Sequence, residues 1–285
     1  MRYFAIAMMM WGALTTAQAQ YLFLETHPGI SAIEETTYRE KGDSLVAVTR
    51  IESEYDSLGR LQKRQTNLNT TQWFTYSGDT VLQENQLGAY GHYRLQVRAE
   101  RNGNRTIFYA RILPAETGEE PVIVREVPGE LYAPSEPPVS EAAMQEILRE
   151  FPLEMEGPAG LLQIQVRQSY PEREDLVRRV ATYEPSGETT YHLRMLREVT
   201  PVEGEQYLEQ RYDYSADSGG LIPGGRNLLD RHEFPFQVLP LAGEEPISLN
   251  RVEYRYDERG NWLERTLYIG EVFDYKTIRE IEYRD

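Results

Sequence analysis

Carboxylates are the most abundant groups in this sequence that are able to do chemistry. Its 285 residues include 46 Asp and Glu against 30 Lys and Arg. A glycosidase requires two carboxylates that face each other across a cleft, roughly 5–10 Å apart, so a carboxylate-dependent polysaccharide hydrolase is one hypothesis. Most of these acids, however, alternate with apolar residues, which is typical of a solvated strand face rather than of a catalytic pair.

The other reactive residue types lack the spacing of a catalytic or metal site. His27, His92, His192 and His232 are far apart, so there is neither a local histidine pair nor an HExxH helix. No Gly-x-Ser-x-Gly elbow marks a nucleophilic serine, and the chain has no Cys to act as a nucleophile or metal ligand. We therefore predict that the protein is not an enzyme and has no catalytic residue, metal or cofactor.

Aromatic residues form a second group with binding potential. The sequence has 20 Tyr, 8 Phe and 3 Trp. Rings on a sheet can pair across strands and stabilise it, which is the favoured interpretation, or they can stack on sugar rings. The candidates for ligand stacking are Trp73, Tyr76, Trp262 and Tyr268.

The first 19 residues have the pattern of a signal peptide. Arg2 precedes an apolar run from Phe4 to Leu14, and Ala17-Gln18-Ala19 is a small-x-small cleavage site. The run is too short to span a bilayer, which takes about 20 residues. We expect cleavage near Ala19, export to the periplasm or the cell exterior, and a soluble mature chain without membrane insertion. The net charge of −16 argues against a nucleic-acid partner.

Beyond residue 19 the sequence is dominated by β patterns. Ser44–Tyr55 alternates along its length, and comparable runs bounded by Gly, Pro, Asn or Asp follow it. This punctuation is typical of consecutive hairpins and predicts a mainly all-β fold, an antiparallel hairpin or meander array. The further predicted strands are Tyr90–Ala99, Thr106–Leu113, Leu161–Gln168, Thr189–Leu196, Gln206–Tyr214, Leu249–Tyr256, Leu263–Ile269 and Thr277–Tyr283.

Two segments depart from this pattern. A Pro-rich linker at 134–139 precedes Ser140, a predicted N-cap, and one short amphipathic helix near 141–151. The linker and helix either separate two β-rich halves, residues 20–133 and 140–285, or belong to a single sheet with the helix packed across it. Ser215–Arg226 carries two Gly-Gly pairs but no phosphate-binding Lys, and it is predicted to be a flexible loop.

The sequence also predicts three tight turns. Asp56-Ser57-Leu58-Gly59 and Asp257-Glu258-Arg259-Gly260 place Asp first and Gly fourth, as in a type I turn followed by a bulge. Asn102-Gly103 is the dipeptide that favours a two-residue type I′ hairpin.

The first two turns belong to an internal repeat. Glu52–Arg64 and Val252–Arg265 share Tyr-Asp-x-x-Gly, with an Arg five residues after the Gly. This resembles the YD repeat of the RHS family of bacterial surface and secreted proteins, especially the degenerate repeats of short exported proteins of Bacteroidetes-type bacteria. The resemblance implies tyrosines stacked between rungs, aspartates that bond turn amides and glycines that fix the bulge. The repeat residues are Tyr55, Asp56, Gly59, Arg64, Tyr256, Asp257, Gly260 and Arg265.

The resemblance implies an architecture and no catalysis, since the chain is too short for the toxin-enclosing shell of RHS proteins. We expect an exported β-repeat protein that acts as a binding or structural module of the bacterial cell envelope, with an envelope protein or a glycan as partner. The alternatives are the hydrolase named above and a surface protein that self-associates through a sheet edge.

Overall fold

The computed structural model describes residues 26–42, 44–67, 70–87, 92–113, 141–202, 206–215, 220–239 and 250–284. The predicted signal peptide and the predicted linker at 134–139 lie outside these ranges. Within them, no helix is both long enough and apolar enough to cross a membrane.

The described chain forms one antiparallel sheet of 17 strands and one α-helix. The predicted all-β antiparallel fold is therefore confirmed. The helix α1 is Glu141–Glu150, close to its predicted range. Strands β1 to β17 are Ile30–Lys41, Ser44–Tyr55, Leu61–Thr66, Thr70–Ser77, Thr80–Leu87, His92–Asn102, Arg105–Leu113, Glu154–Glu156, Gln163–Ser169, Arg178–Pro185, Thr190–Val202, Gln206–Ser215, Gly220–Leu229, Pro235–Leu239, Asn250–Tyr256, Trp262–Ile269 and Val272–Tyr283.

The sheet nearly closes into a ring. Strand β1 pairs with both β2 and β17, and β7 pairs with β9, so the two β-rich halves share one sheet. Backbone ladders link neighbouring strands in the order β15 to β17, then β1 to β7, then β9 to β14. Strands β14 and β15 lie side by side without a ladder of their own among the described residues. We call this gap the seam.

Three connections of the same kind lie at one end of the sheet. Asp56–Arg60 joins β2 to β3, Asp230–Phe234 joins β13 to β14, and Asp257–Asn261 joins β15 to β16. Following the antiparallel registers round the sheet places all three at the same end. We call it the aspartate-turn end.

The predicted type I′ turn at Asn102-Gly103 is wrong by one residue. Asn102 is still in the ladder, opposite Arg105, so the loop residues are Gly103 and Asn104. Gly103 has a φ of +56° and Asn104 is not in the left-handed region. A positive φ at the first loop residue alone belongs to a type II′ turn.

The helix packs against one face of the sheet, which we call the outer face, and the opposite face is called the inner face. Ile147 and Phe151 are buried against Ile164, Tyr183 and Leu196. Because side chains alternate along a strand, Ile107 and Tyr109 of β7 join this cluster, whereas Phe108 packs on the opposite, inner face. The inner face carries a second apolar cluster built from β3 to β7: Leu61, Phe74, Val81, Leu95, Val97, Phe108 and Ala110.

Part of the predicted loop Ser215–Arg226 is a strand, so that prediction is corrected. Strand β13 begins at Gly220 and pairs with β12, with a bulge opposite Arg211 and Tyr212. A Cβ at Gly224 would lie 2.1 Å from the Asp213 carboxylate. The glycine therefore permits close approach of a buried carboxylate to the backbone, which is one of the uses of Gly inside a strand. Residues 216–219 lie outside the described chain.

Candidate functional site

The three aspartate turns share one hydrogen-bond pattern. In each turn the Oδ1 atom of the Asp accepts from the backbone N–H groups two and four residues later. The distances are 2.9 and 2.9 Å at Asp56, 2.9 and 2.8 Å at Asp257, and 2.7 and 3.0 Å at Asp230. In every turn, the residue three positions after the Asp also donates its backbone N–H to the carbonyl of the Asp. These residues are Gly59, Gly260 and Glu233. Each Asp therefore organises its turn from within, as Asx turns do.

The Asp230 turn is a third copy that sequence reasoning missed. Leu229 stands where the other turns have Tyr, and Glu233 stands where they have Gly. Gly59 and Gly260 have φ values of +75° and +82°, and Glu233 adopts the same left-handed conformation with a φ of +58°. Among the described residues it is the one non-glycine residue with positive φ. Its conformation is costly for a residue with a Cβ.

Glu233 faces a pocket of about 420 Å³ at the aspartate-turn end. Such a volume lies within the range of about 300–1,000 Å³ that is usual for small-ligand sites. The pocket lies where β9 ends and β10 begins, and we call it the arginine pocket. It is lined by Arg167, Ser169, Tyr170, Pro171, Arg173, Val177, Arg178 and Glu233.

The arginine pocket has three guanidinium groups and one carboxylate in its lining. Arg178 forms an ion pair with Glu233, and its side chain is only 13% exposed while that of Glu233 is 42% exposed. Arg173 pairs with the exposed Asp175 and stands 5.7 Å from the centre of the Tyr170 ring. Guanidinium groups bind carboxylates and phosphates through paired hydrogen bonds. The lining is therefore suited to an anionic group beside an aromatic wall.

The Tyr170 ring is fixed from the helix side. Its hydroxyl donates to the carboxylate of Glu150 at the end of α1. Glu150 also accepts from Arg179 at 3.2 Å, and Arg179 donates to Glu198 at 2.6 Å. Burial raises the pKa of Tyr170 well above its ordinary value, and the hydrogen bond to Glu150 raises it further. Tyr170 is therefore a neutral, positioned wall of the arginine pocket.

A second, smaller cavity of about 60 Å³ lies on the inner face near β1, β2, β3 and β17. Glu35 lines it together with Arg64 and Arg279, and Arg279 donates to the Glu35 carboxylate. Burial raises the pKa of Glu35, but Arg279, Arg64 and Arg265 outweigh it and hold that pKa below its ordinary value of 4.5. The two repeat arginines, Arg64 and Arg265, therefore act on one carboxylate.

Side chains join β14 to β15 across the seam. Tyr254 of β15 donates to Oδ2 of Asp230. Tyr256 contacts the same turn, since its hydroxyl lies 2.7 Å from Nε of Arg231 and 2.9 Å from Nε2 of His232. Burial, together with Arg231, Arg279 and Arg265, lowers the pKa of His232 although Asp230 opposes the shift. The turn that carries Glu233 is thus held by β15.

The four predicted stacking aromatics do not form a common surface. Trp73 is half-buried on the outer face, opposite Lys63 and Glu84. Tyr76 donates to the carbonyl of Leu61 at 2.8 Å and lies under Arg60. Trp262 is 6% exposed and is covered by Arg279 at 3.4 Å, so it is not an exposed platform. Tyr268 lies 4.2 Å from Arg251 near the opposite end of the sheet.

The repeat tyrosines contact histidines rather than each other. Tyr55 packs edge-on against His27, with ring centres 5.0 Å apart, and Tyr256 lies 5.9 Å from His232. Among the described residues, no group of three or more His, Asp or Glu is placed to hold a metal ion. Each of the two described cavities has a single lining carboxylate, Glu35 or Glu233.

Comparisons with known proteins find similarity among solved structures only. No protein-family model and no curated protein matches the sequence. Among solved structures, the chain is similar to a porin-like protein from Bacteroides uniformis ATCC 8492, with a TM-score of 0.27 and 10% identity over 89% of this chain and 96% of that one. A TM-score this low does not establish a shared fold.

Proposed function

We propose that this protein is an exported binding module of the bacterial cell envelope and that its arginine pocket holds the acidic group of an envelope glycan. The observation that carries the proposal is the composition of this pocket. Three arginines line it in a chain whose net charge is −16. A cationic pocket on an acidic protein selects an anionic ligand locally, because the rest of the surface repels one.

The shape of the pocket supports a sugar rather than a bare ion. Tyr170, Pro171 and Val177 supply apolar wall, while Ser169 supplies a hydroxyl. A sugar acid presents an apolar ring face, hydroxyl groups and one charge, and the lining has a partner for each. The opening lies between the loop that joins β9 to β10 and the Asp230 turn, and binding residues are commonly found on such loops.

The other elements of the proposal come from the sequence. The pattern of residues 1–19 supports export, and the repeat supports kinship with YD-repeat proteins of the bacterial surface. The Asp230 turn adds a third unit of the same geometry to that repeat. The hydrolase hypothesis has less support, because it needs two facing carboxylates and the arginine pocket is lined by one.

Calorimetric titration with an oligogalacturonate of defined length tests the proposal, with a neutral galactan oligomer of equal length as comparison. We expect the acidic oligomer to bind and its affinity to fall as salt rises. Arg173→Gln and Arg178→Gln should each weaken binding. Arg50→Gln is the matched control, since Arg50 is an arginine 52% exposed on β2, paired with Glu34 and outside the pocket.

Two results would contradict the proposal. The first is equal affinity for the acidic and the neutral oligomer, or no binding of either. The second is a loss of affinity that is as large in Arg50→Gln as in the pocket variants. Circular dichroism of each variant establishes that the sheet is intact, so that a loss of binding is not a loss of folding.

A further inference from the structure

Glu233 occupies a position at which its own turn favours glycine. The hydrogen bonds of the Asp230 turn match those of the Asp56 and Asp257 turns, where glycine stands fourth. Glycine adopts a positive φ at no steric cost, whereas a residue with a Cβ does not. The turn geometry therefore gives no reason for a glutamate, and the reason has to lie in what its side chain contacts.

The side chain of Glu233 contacts Arg178 in the arginine pocket. The two partners differ in burial. The side chain of Arg178 is 13% exposed and largely enclosed, whereas that of Glu233 is 42% exposed and lies on the solvent side. A carboxylate in this position can leave for water at little cost. The arginine cannot, because an unpaired buried charge is unfavourable.

We infer that Glu233 is an internal substitute for the carboxylate of the ligand. This inference rests on the proposed function of the arginine pocket and narrows its ligand class to sugars that carry a carboxylate. In the free protein Glu233 pairs with Arg178. In the complex the carboxylate of the ligand replaces it on the same guanidinium group, and Glu233 turns outward into solvent. Arg178 is paired in both states, and no covalent bond changes.

The exchange makes Glu233 a residue that sets affinity and specificity. Its carboxylate competes with every ligand for the guanidinium group of Arg178. A neutral sugar has no carboxylate to replace it, so neutral sugars are excluded as long as the Glu233–Arg178 ion pair is intact. A group of the protein that competes for the site disfavours the wrong ligand, which is one way to achieve specificity. The left-handed turn holds the competing carboxylate over the pocket.

The test compares wild type, Glu233→Gln and Glu233→Gly in titrations with the oligogalacturonate, with a neutral galactan oligomer and with inorganic phosphate. Removing the competitor should tighten oligogalacturonate binding by about two- to fivefold in both variants, the strength of a partly exposed ion pair. Binding of the neutral oligomer should rise from undetectable or weak to measurable. Glu258→Gln, in the equivalent Asp257 turn, should change nothing.

The outcomes separate this inference from the proposed function. Suppose that wild type binds the oligogalacturonate. If Glu233→Gln then weakens binding, Glu233 is a ligand contact, and if it leaves binding unchanged, Glu233 has no role in it. In either case the inference is wrong while the proposed function stands. If phosphate gains as much as the sugar acid, the restriction to carboxylates is wrong. If neither wild type nor either variant binds an acidic oligomer, the proposed function itself fails.

Discussion

The hydroxyl of Tyr254 donates to the carboxylate of Asp230 across the seam, where β14 and β15 have no backbone ladder among the described residues. Asp230 is 6% exposed and already accepts two backbone N–H groups of its own turn. One carboxylate therefore closes the turn and fastens it to the next strand. Farther along the seam, Asn250 donates to the carbonyl of Phe236 at 2.7 Å.

We expect Tyr254→Phe to loosen the seam. Loss of a hydrogen bond to a charged, buried group should cost about 1.5–3 kcal/mol of unfolding free energy, measured by urea denaturation. Amide exchange should accelerate in β14 and β15 before it does so in β6 and β7. Tyr256→Phe is the control, because its hydroxyl bonds the exposed Arg231 and His232, and it should cost less. Equal losses of unfolding free energy in the two variants would show that the Tyr254 hydroxyl does not hold the seam.

The two repeat glycines offer a matched pair. Gly59 and Gly260 have nearly the same φ, +75° and +82°. A Cβ at Gly59 would lie 2.5 Å from the backbone carbon of His27, but a Cβ at Gly260 would meet nothing within 4 Å. Gly260→Ala should therefore cost only the left-handed conformation, about 1–2 kcal/mol. Gly59→Ala should cost clearly more in the same denaturation experiment, and identical losses would show that the packing of residues 26–28 against this turn is unimportant.

Stability also tests the conformation of Glu233. Glu233→Gln keeps the left-handed residue and loses the ion pair, whereas Glu233→Gly loses both. We therefore expect Glu233→Gly to be more stable than Glu233→Gln by about 1 kcal/mol, seen as a higher melting temperature. Glu258→Gly, at a turn position without positive φ, should not stabilise. A glycine variant no more stable than the glutamine variant would mean that the turn relaxes around Glu233.

The cavity around Glu35 predicts a pH dependence. Arg279, Arg64 and Arg265 hold the pKa of Glu35 below its ordinary value of 4.5 despite burial. A carboxyl whose folded-state pKa is depressed contributes stability above its unfolded pKa and loses it as the pH falls through the folded value. Glu35→Gln should thus lower stability at pH 7 and flatten its decline below about pH 4.5. Glu34→Gln, on the opposite face of β1 and outside the cavity, is the control variant.

Local signals were sufficient to predict nine of the 17 strands, at least in part, and the turns at Asp56 and Asp257. Strand β2 has the predicted range, Ser44–Tyr55, because alternation and a Gly or Asp at each end mark it clearly. Strand β13 was missed, since its glycines serve a close approach to Asp213 that only the folded chain brings about.

The candidate site was beyond sequence reasoning for a similar reason. The arginine pocket combines residues 167–178 with Glu233, which is 55 residues away from Arg178 along the chain. The one available sequence signal was Asp230 at the start of a tight turn. It was not recognised because Glu233 stands where the other two turns have glycine. Trp262 was one of four candidates for ligand stacking, with cross-strand pairing as the favoured interpretation, and its burial under Arg279 depends on β17 lying beside β16.

The pairing of β1 with β17 sets the order in which this molecule can be completed. Ser31 and Glu282 are hydrogen-bonded although 251 residues separate them. A growing chain makes β1 early, and the edge of β1 that pairs with β17 stays open until β17 has been synthesised. Contacts so distant in sequence also form slowly. During that interval the edge is free to pair with a strand of another molecule. Shielding β1 until β17 has been synthesised would therefore reduce pairing between molecules.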